Sequence, residues 1–217
     1  MIRRAALVLL LILIVYAAYL GGRIVVERRT VSARVDAIIA ASDPDELTLS
    51  GDRRRILLAV EDPTFLTNKG VDFVTPGGGM TTLSQGLGKK IFFERFTPGF
   101  AKGELIVLTR FALYPEVDKD RTLTALIATA NFGSKSGRPV NGFADGARAW
   151  LGKPLSSLSD RDYLSLIAML PAPSTYNPQR HPAANADRVA RIERLLAGRC
   201  TSDGFRDVML NGCAVGS

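Results

Sequence analysis

The chain has 217 residues, room for one substantial domain and an appendage. With 47% apolar and 23% charged residues, a buried core is expected and intrinsic disorder is excluded. The 28 Lys and Arg against 21 Asp and Glu leave a charge of +7. That surplus suits an anionic partner, and nucleic acid, acidic lipid and a phosphorylated substrate all qualify.

Arg3 and Arg4 precede an uncharged run from Ala5 to Gly22, which Arg23 ends. It is near the lower length limit for a helix crossing a hydrocarbon layer of roughly 30 Å. Tyr16 and Tyr19 lie toward its far end, where amphipathic rings favour the interface. A cleaved signal peptide competes, since Val15-Tyr16-Ala17 resembles a small-residue cleavage site. The apolar run continues past that site, which favours an uncleaved anchor. Basic residues flank both ends (Arg3 and Arg4; Arg23, Arg28 and Arg29), so the positive-inside rule gives no orientation.

Val25 to Ala41 alternates charged and apolar residues at helical spacing and predicts a helix leaving the membrane. A polar connector over 42–51 follows. Arg53 to Val60 predicts a short helix stopped by Pro63, and the run 75–79 punctuates the chain. Apolar residues at 80, 83, 87 and 91 predict a helix from Met80 to Phe93. Further helices are predicted over 101–113, with Pro115 as an interruption, and over 119–130. Residues 133–139 read as a loop, and Ala144 to Leu151 as a short helix ended at Gly152. Ser159 and the acidic turn after it predict the cap of an apolar helix running to Leu170. The last predicted helix runs from Ala183 to Ala197, with Gly198 as its stop. No strand alternation, internal repeat or second domain is visible. The expected division is an anchor over 1–24, a juxtamembrane helix and connector over 25–50, a mainly α domain over 51–198, and a tail over 199–217.

Cys200 and Cys213 both lie in that tail. They suit a disulfide in an oxidising compartment, or two buried thiols. With His181 the only histidine and no CxxC pair, a zinc site is not expected, and His181 lies between Arg180 and Pro182 in an irregular polar segment that suits no Ser/His/Asp set. Glu61-Asp62 follows a predicted helix at its negative end, where the macrodipole raises a carboxylate's proton affinity and suits a general base. The alternative is a solvated acidic turn pairing with Arg53 to Arg55. The glycines before Met80-Thr81-Thr82 resemble a backbone nest for an anion, or a plain turn. They lack the GK[ST] ending of a nucleotide P-loop. Lys89 and Lys90 are either a solvated face or a phosphate contact. Glu104, in a predicted first turn, has an ordinary structural role there.

In order, these segments resemble the peptidoglycan glycosyltransferase family of monofunctional transglycosylases and class A penicillin-binding proteins. The likeness covers roughly Ile56 to Leu196. The family's EDxxFxxHxGxD is matched from Glu61 to Asp72, and its GGSTITQQLxKN from Gly79 to Lys90. GxxxAAxxYFGK is matched from Gly142 to Lys153, and LPxAPSxYNP from Leu170 to Pro178. The resemblance implies a fold similar to lysozyme, a single-pass bacterial inner-membrane protein with a periplasmic catalytic domain, and polymerisation of lipid II. It makes Glu61 the general base and Glu104 the second catalytic carboxylate, organising the diphosphate site. Lys89 is the best match to the lysine that stabilises the leaving diphosphate. Thr82, Ser84 and Gln85 are its hydrogen-bonding neighbours, and Asp62, Phe65, Thr81, Lys102 and Arg188 complete the substrate-binding set. No cofactor is required by the resemblance; a divalent cation, Mg or Mn, accompanying the diphosphate is compatible with it. Implied partners are lipid II, the nascent glycan strand, the inner membrane, and a transpeptidase or other wall-synthesis protein. Nucleic acid is not among them. No transpeptidase segment is recognisable, so cross-linking is expected to lie elsewhere.

The chain departs from the pattern at several places. Asn68 replaces a His, Gly86 a Gln, and the link from Asp72 to Gly79 is short. Phe100 and Ala101 stand where the family's RKxxE has Arg and Lys, with Lys102 a partial substitute. The ILExYLN segment reads as 122–128 without its polar residues, and Asp187 replaces the neighbour of Arg188. Each lost cation weakens diphosphate binding by on the order of a kilocalorie per mole. A second reading is therefore an inactive relative that binds lipid II or glycan as a scaffold. A third is a lysozyme-like lytic enzyme, which leaves the second motif and its lysine unexplained.

Overall fold

A computed structural model describes residues 2–77 and 81–214. The architecture is mainly α, as expected. Helix α1 (Ile2–Ala40) is followed by a single turn α2 (Pro44–Leu47), then α3 (Gly51–Glu61) and α4 (Leu83–Phe92). Next come α5 (Phe100–Leu108), a π-helical turn (Thr109–Leu113), the short α6 (Tyr114–Glu116) and α7 (Lys119–Thr129). A hairpin of β1 (Asn131–Lys135) and β2 (Arg138–Asn141) leads into α8 (Phe143–Leu151), α9 (Asp160–Met169) and α10 (Pro182–Leu196).

Three expectations are corrected. The anchor and the juxtamembrane helix are one element: nothing between Gly22 and Val25 breaks the hydrogen-bond ladder. At 1.5 Å per residue α1 is about 58 Å long. Its N-terminal apolar stretch has a mean hydropathy of 2.4 with none of it buried against the domain, which fits a single-pass anchor. Its C-terminal half buries Val31 and Val35 in the core. Second, Pro115 does not end the helix before it. The helix runs on through a π turn at Thr109–Leu113, and that wider turn accommodates Pro115, which has no N–H to donate back into it.

Third, the stretch 133–139 holds an antiparallel hairpin, not only a loop. Lys135 pairs with Arg138, and Ser136 and Gly137 both take positive φ (52° and 77°). Two left-handed residues between paired strands form the tight turn whose twist suits a hairpin. The strands bury little beyond Phe132 and Val140, so no alternation of apolar residues marks them.

The caps follow the local chemistry. Ser159 and Asp162 form a reciprocal capping box on α9, and Thr82 and Gln85 form another on α4. Because Thr82 is the cap, α4 begins at Leu83; Met80, expected as its first residue, lies outside the described residues, as do Gly78 and Gly79 of the expected anion nest. One core joins α1, α4, α7, α8 and α9, with Leu87, Leu108, Phe132, Phe143, Tyr163 and Leu166 at its centre. The two cysteines of the tail are joined as a disulfide.

Candidate active site

Adjacent residues at the end of α3 take opposite directions. Glu61 is the last helical residue and Asp62 the cap. Asp62 turns inward and is only 2% exposed. Its Oδ2 accepts from the Leu83 amide (3.0 Å) and its Oδ1 from Asn68 Nδ2 (2.8 Å). It therefore latches the first motif to the first turn of α4. Asn68 completes that latch, since its Oδ1 accepts from Lys119 Nζ and the Gly70 amide, both at 3.0 Å.

Glu61 turns to a cleft of about 690 Å³. Its lining includes Thr81, Thr82, Gly86, Lys89, Lys90, Glu94 and Phe96, together with Thr129, Asn131, Leu170, Pro171 and Pro173. The Glu61 side chain keeps 15% of its surface open, yet its Oε1 is buried without a hydrogen-bond partner. Arg188 of α10 is 1% exposed and lies 3.6 Å from that oxygen, too far for a hydrogen bond. Burial pushes the Glu61 carboxyl up to about 7, against the pull of Arg188 and with help from the neighbouring Asp62 charge. Burial likewise pushes Arg188 down. Arg53 to Arg55 take no part: Arg53 binds the carbonyls of Leu155 and Leu158, Arg54 pairs with Asp120, and Arg55 with Asp52. The solvated-turn reading of Glu61 is thereby set aside.

The cations gather on α4 and α5. Lys89 lines the cleft with Nζ 5.3 Å from the Phe96 ring, and burial lowers its affinity for a proton. Lys102 Nζ donates to Thr81 Oγ1 at 2.8 Å. Burial, then the like charge of Lys89, brings it down to about 8. Lys89 thus lines the cleft, with Lys102 bonded to the cleft-lining Thr81 behind it, and both have lowered proton affinity, which an anionic ligand would offset. Lys90 is exposed and donates to Asn141 Oδ1 at 2.8 Å.

Other expected site residues are placed differently. Phe65 is 0% exposed, so it packs the core and offers no surface to a substrate. Ser84 (3%) and Gln85 (1%) face inward along α4, where the Gln85 side chain is engaged in the capping box. Thr82 Oγ1 donates to the Gly70 carbonyl at 2.7 Å, although the residue also lines the cleft. Glu104 is not among the cleft-lining residues. Its Oε2 is held by Arg23 of α1 at 3.2 Å, and Arg23 also reaches Glu27 (3.1 Å) and the Phe92 carbonyl (3.2 Å). Arg34 binds Glu27 and the Ile91 carbonyl, so two arginines of α1 cap the C-terminal end of α4. Nothing in the sequence around Arg23 marks it as the cation for Glu104. Among the described residues no group of three His, Cys, Asp or Glu side chains could hold a metal.

Residues 74–197 match the Transglycosylase family profile. Proteins named biosynthetic peptidoglycan transglycosylase from Burkholderia cenocepacia (strain HI2424), Burkholderia vietnamiensis and Burkholderia multivorans are each 29% identical to this chain over 163 residues. That stretch of the first two is 68% of this chain and 64% of theirs, less than two thirds of their length. With more than half of its residues inside the family profile and the mainly α, lysozyme-like domain that the motifs implied, the chain belongs to the transglycosylase family.

Proposed function

We propose that this protein polymerises lipid II into glycan strands, with Glu61 as general base and Lys89 and Lys102 steadying the departing diphosphate. The observation that carries the reading is Glu61 itself: a buried, incompletely hydrogen-bonded carboxyl, pushed up to about 7, at a cleft whose wall holds Lys89. A base poised near the working pH combines a useful ionised fraction with real affinity for a proton.

In the proposed step the acceptor sugar hydroxyl attacks the anomeric carbon of the growing chain. Its proton passes to a Glu61 carboxylate oxygen as the new C–O bond forms. The bond from that carbon to the diphosphate oxygen breaks with its electron pair, and the configuration inverts. The leaving group is already a stable anion, so it needs charge stabilisation more than a proton. Lys89 suits that role from the cleft wall, and Lys102 from beside it, its ammonium bonded to the cleft-lining Thr81. Arg188 is better placed to position Glu61 than to meet substrate, being 1% exposed. Glu104 acts indirectly, by tying α5 to the arginine at the end of the apolar stretch of α1. The outward, periplasmic placement of the domain belongs to this reading, since lipid II polymerisation is expected there.

The test is purified full chain with labelled lipid II in detergent. Polymer of increasing length is the expected product. Binding without polymer would replace the reading with the scaffold alternative, and release of muropeptides from sacculi would favour a lytic enzyme.

A further inference from the structure

The tail holds a feature that the catalytic reading leaves unused. Residues 199–214 lie beyond the family-matched stretch, yet Val208 is part of the cleft wall. The disulfide between Cys200 and Cys213 closes a 13-residue separation. Inside it, the buried Asp207 carboxylate accepts from the amides of Asp203 (2.9 Å), Asn211 (2.6 Å) and Gly212 (2.9 Å). From outside, Arg191 of α10 donates to the Met209 carbonyl (3.2 Å) and to Asn211 Oδ1 (2.9 Å), and Tyr176 OH to Met209 Sδ (3.6 Å). The loop is thus pinned from its own interior, from α10 and from the segment after α9.

Its other contact is with the short link before the second motif. The Gly77 amide donates to the Gly204 carbonyl at 3.0 Å. A Cβ on Gly77 would lie 2.3 Å from Ser202 Oγ, a hydroxyl that can turn away, so it is the φ of +73° that demands glycine there. Asp72 stiffens the same link by accepting from the amides of Val74 (2.9 Å) and Thr75 (3.1 Å). The contact lies near the Thr82 end of α4. The arginines of α1 hold the opposite end, at Ile91 and Phe92. On the transglycosylase reading the lipid part would lie at the α1 end, beside Phe93, which faces Arg23, and the saccharide toward the loop that carries Val208.

We propose that the Cys200–Cys213 loop is a fixed wall of the cleft that seats the saccharide part of the substrate, with Val208 as its contact. The proposal rests on the transglycosylase reading for the identity of the ligand. Its physical content is separable: the disulfide holds the loop, the loop holds Gly77 at the end of the 72–77 link, and Val208 forms part of the cleft wall. An apolar side chain at that place offers van der Waals contact to the C–H face of a sugar ring.

Two measurements on the full chain in detergent test it. Hydrogen exchange of the 72–77 amides is compared between wild type and Cys200→Ser/Cys213→Ser. The expected result is a loss of protection of about tenfold in the double variant, as the docking that closes the segment is released. Unchanged exchange overturns the proposal. Where the double variant does not fold, Gly77→Ala is read at the docked loop 201–209, which should then exchange faster. The second measurement is binding of fluorescent lipid II to Val208→Trp in a Glu61→Gln background, with the disulfide verified. Filling the wall should weaken binding by about five- to tenfold without moving the melting temperature. Binding equal to that of the parent overturns the assignment of Val208. A chain that binds lipid II yet forms no polymer sinks the polymerase reading and leaves this comparison intact.

Discussion

Replacing Arg188 by Met removes the cation that faces Glu61 while keeping an unbranched side chain in the same buried space. At 3.6 Å, an effective dielectric of about 20 gives a Coulomb term of roughly 5 kcal/mol, an upper bound of about three pH units. Because 15% of the Glu61 side chain stays open to the cleft, solvent reduces that, and a shift of about one to two units is expected. The acid limb of kcat/KM for polymerisation should therefore move from about 7 to above 8, with roughly tenfold lower activity at pH 7. Stability should follow with a definite sign. Glu61 has a folded-state value above its unfolded 4.5, so its contribution is fully present below about 4.5 and is lost as pH rises through the folded value. In Arg188→Met that loss extends to higher pH, so urea unfolding should show a steeper decline in stability from pH 7 to 9 than wild type. Lys102 titrates nearby, at about 8, so the comparison is repeated with Lys102→Arg in both chains. An acid limb that stays in place, or moves to lower pH, refutes the pairing.

Lys102 carries the opposite limb: polymerisation should fall as pH rises through about 8, and Lys102→Arg, which stays charged, should hold its activity to higher pH in the same assay. Arg23→Ala leaves the half-buried Glu104 and the Phe92 carbonyl without their cation, at a cost of about 1–3 kcal/mol in urea unfolding in detergent. Unchanged stability would mean that α1 is merely tethered to the domain. Gly142→Ala puts a Cβ 2.6 Å from the Ala128 carbonyl oxygen at φ +86°, which should destabilise by about 2–4 kcal/mol. A change below about 1 kcal/mol in the same unfolding assay would contradict that packing.

The helices were legible where local chemistry decides them. Ser159 with Asp162 reads as a cap because a side chain and an amide three residues apart satisfy each other. Gly152 and Gly198 end helices for equally local reasons. The hairpin escaped because its strands are mostly solvated, which removes the apolar alternation that marks a strand. The continuity of α1 escaped because a change from apolar to charged composition reads as a boundary while the backbone continues unbroken. Motif order led to the expectation that Glu61 and Lys89 share a site, and both line the cleft. The pairs that shape the site were not legible: Arg23 meets Glu104 from 81 positions away, and Arg188 reaches Glu61 only through the packing of α10. Asp62, Phe65 and Gln85 show the converse. Their motif positions suggest substrate contact, but their burial shows that the fold uses them. The cysteine pair was undecided from sequence because two thiols near one end of a chain suit a bond or two buried side chains equally well.

The central claim is that the carboxyl at position 61 receives the acceptor's proton. Glu61→Gln keeps the shape and removes the base. Given lipid II in detergent at pH 8, the variant should bind as wild type does and polymerise about a thousandfold more slowly. Polymerisation within about threefold of wild type would place the base elsewhere and contradict the account.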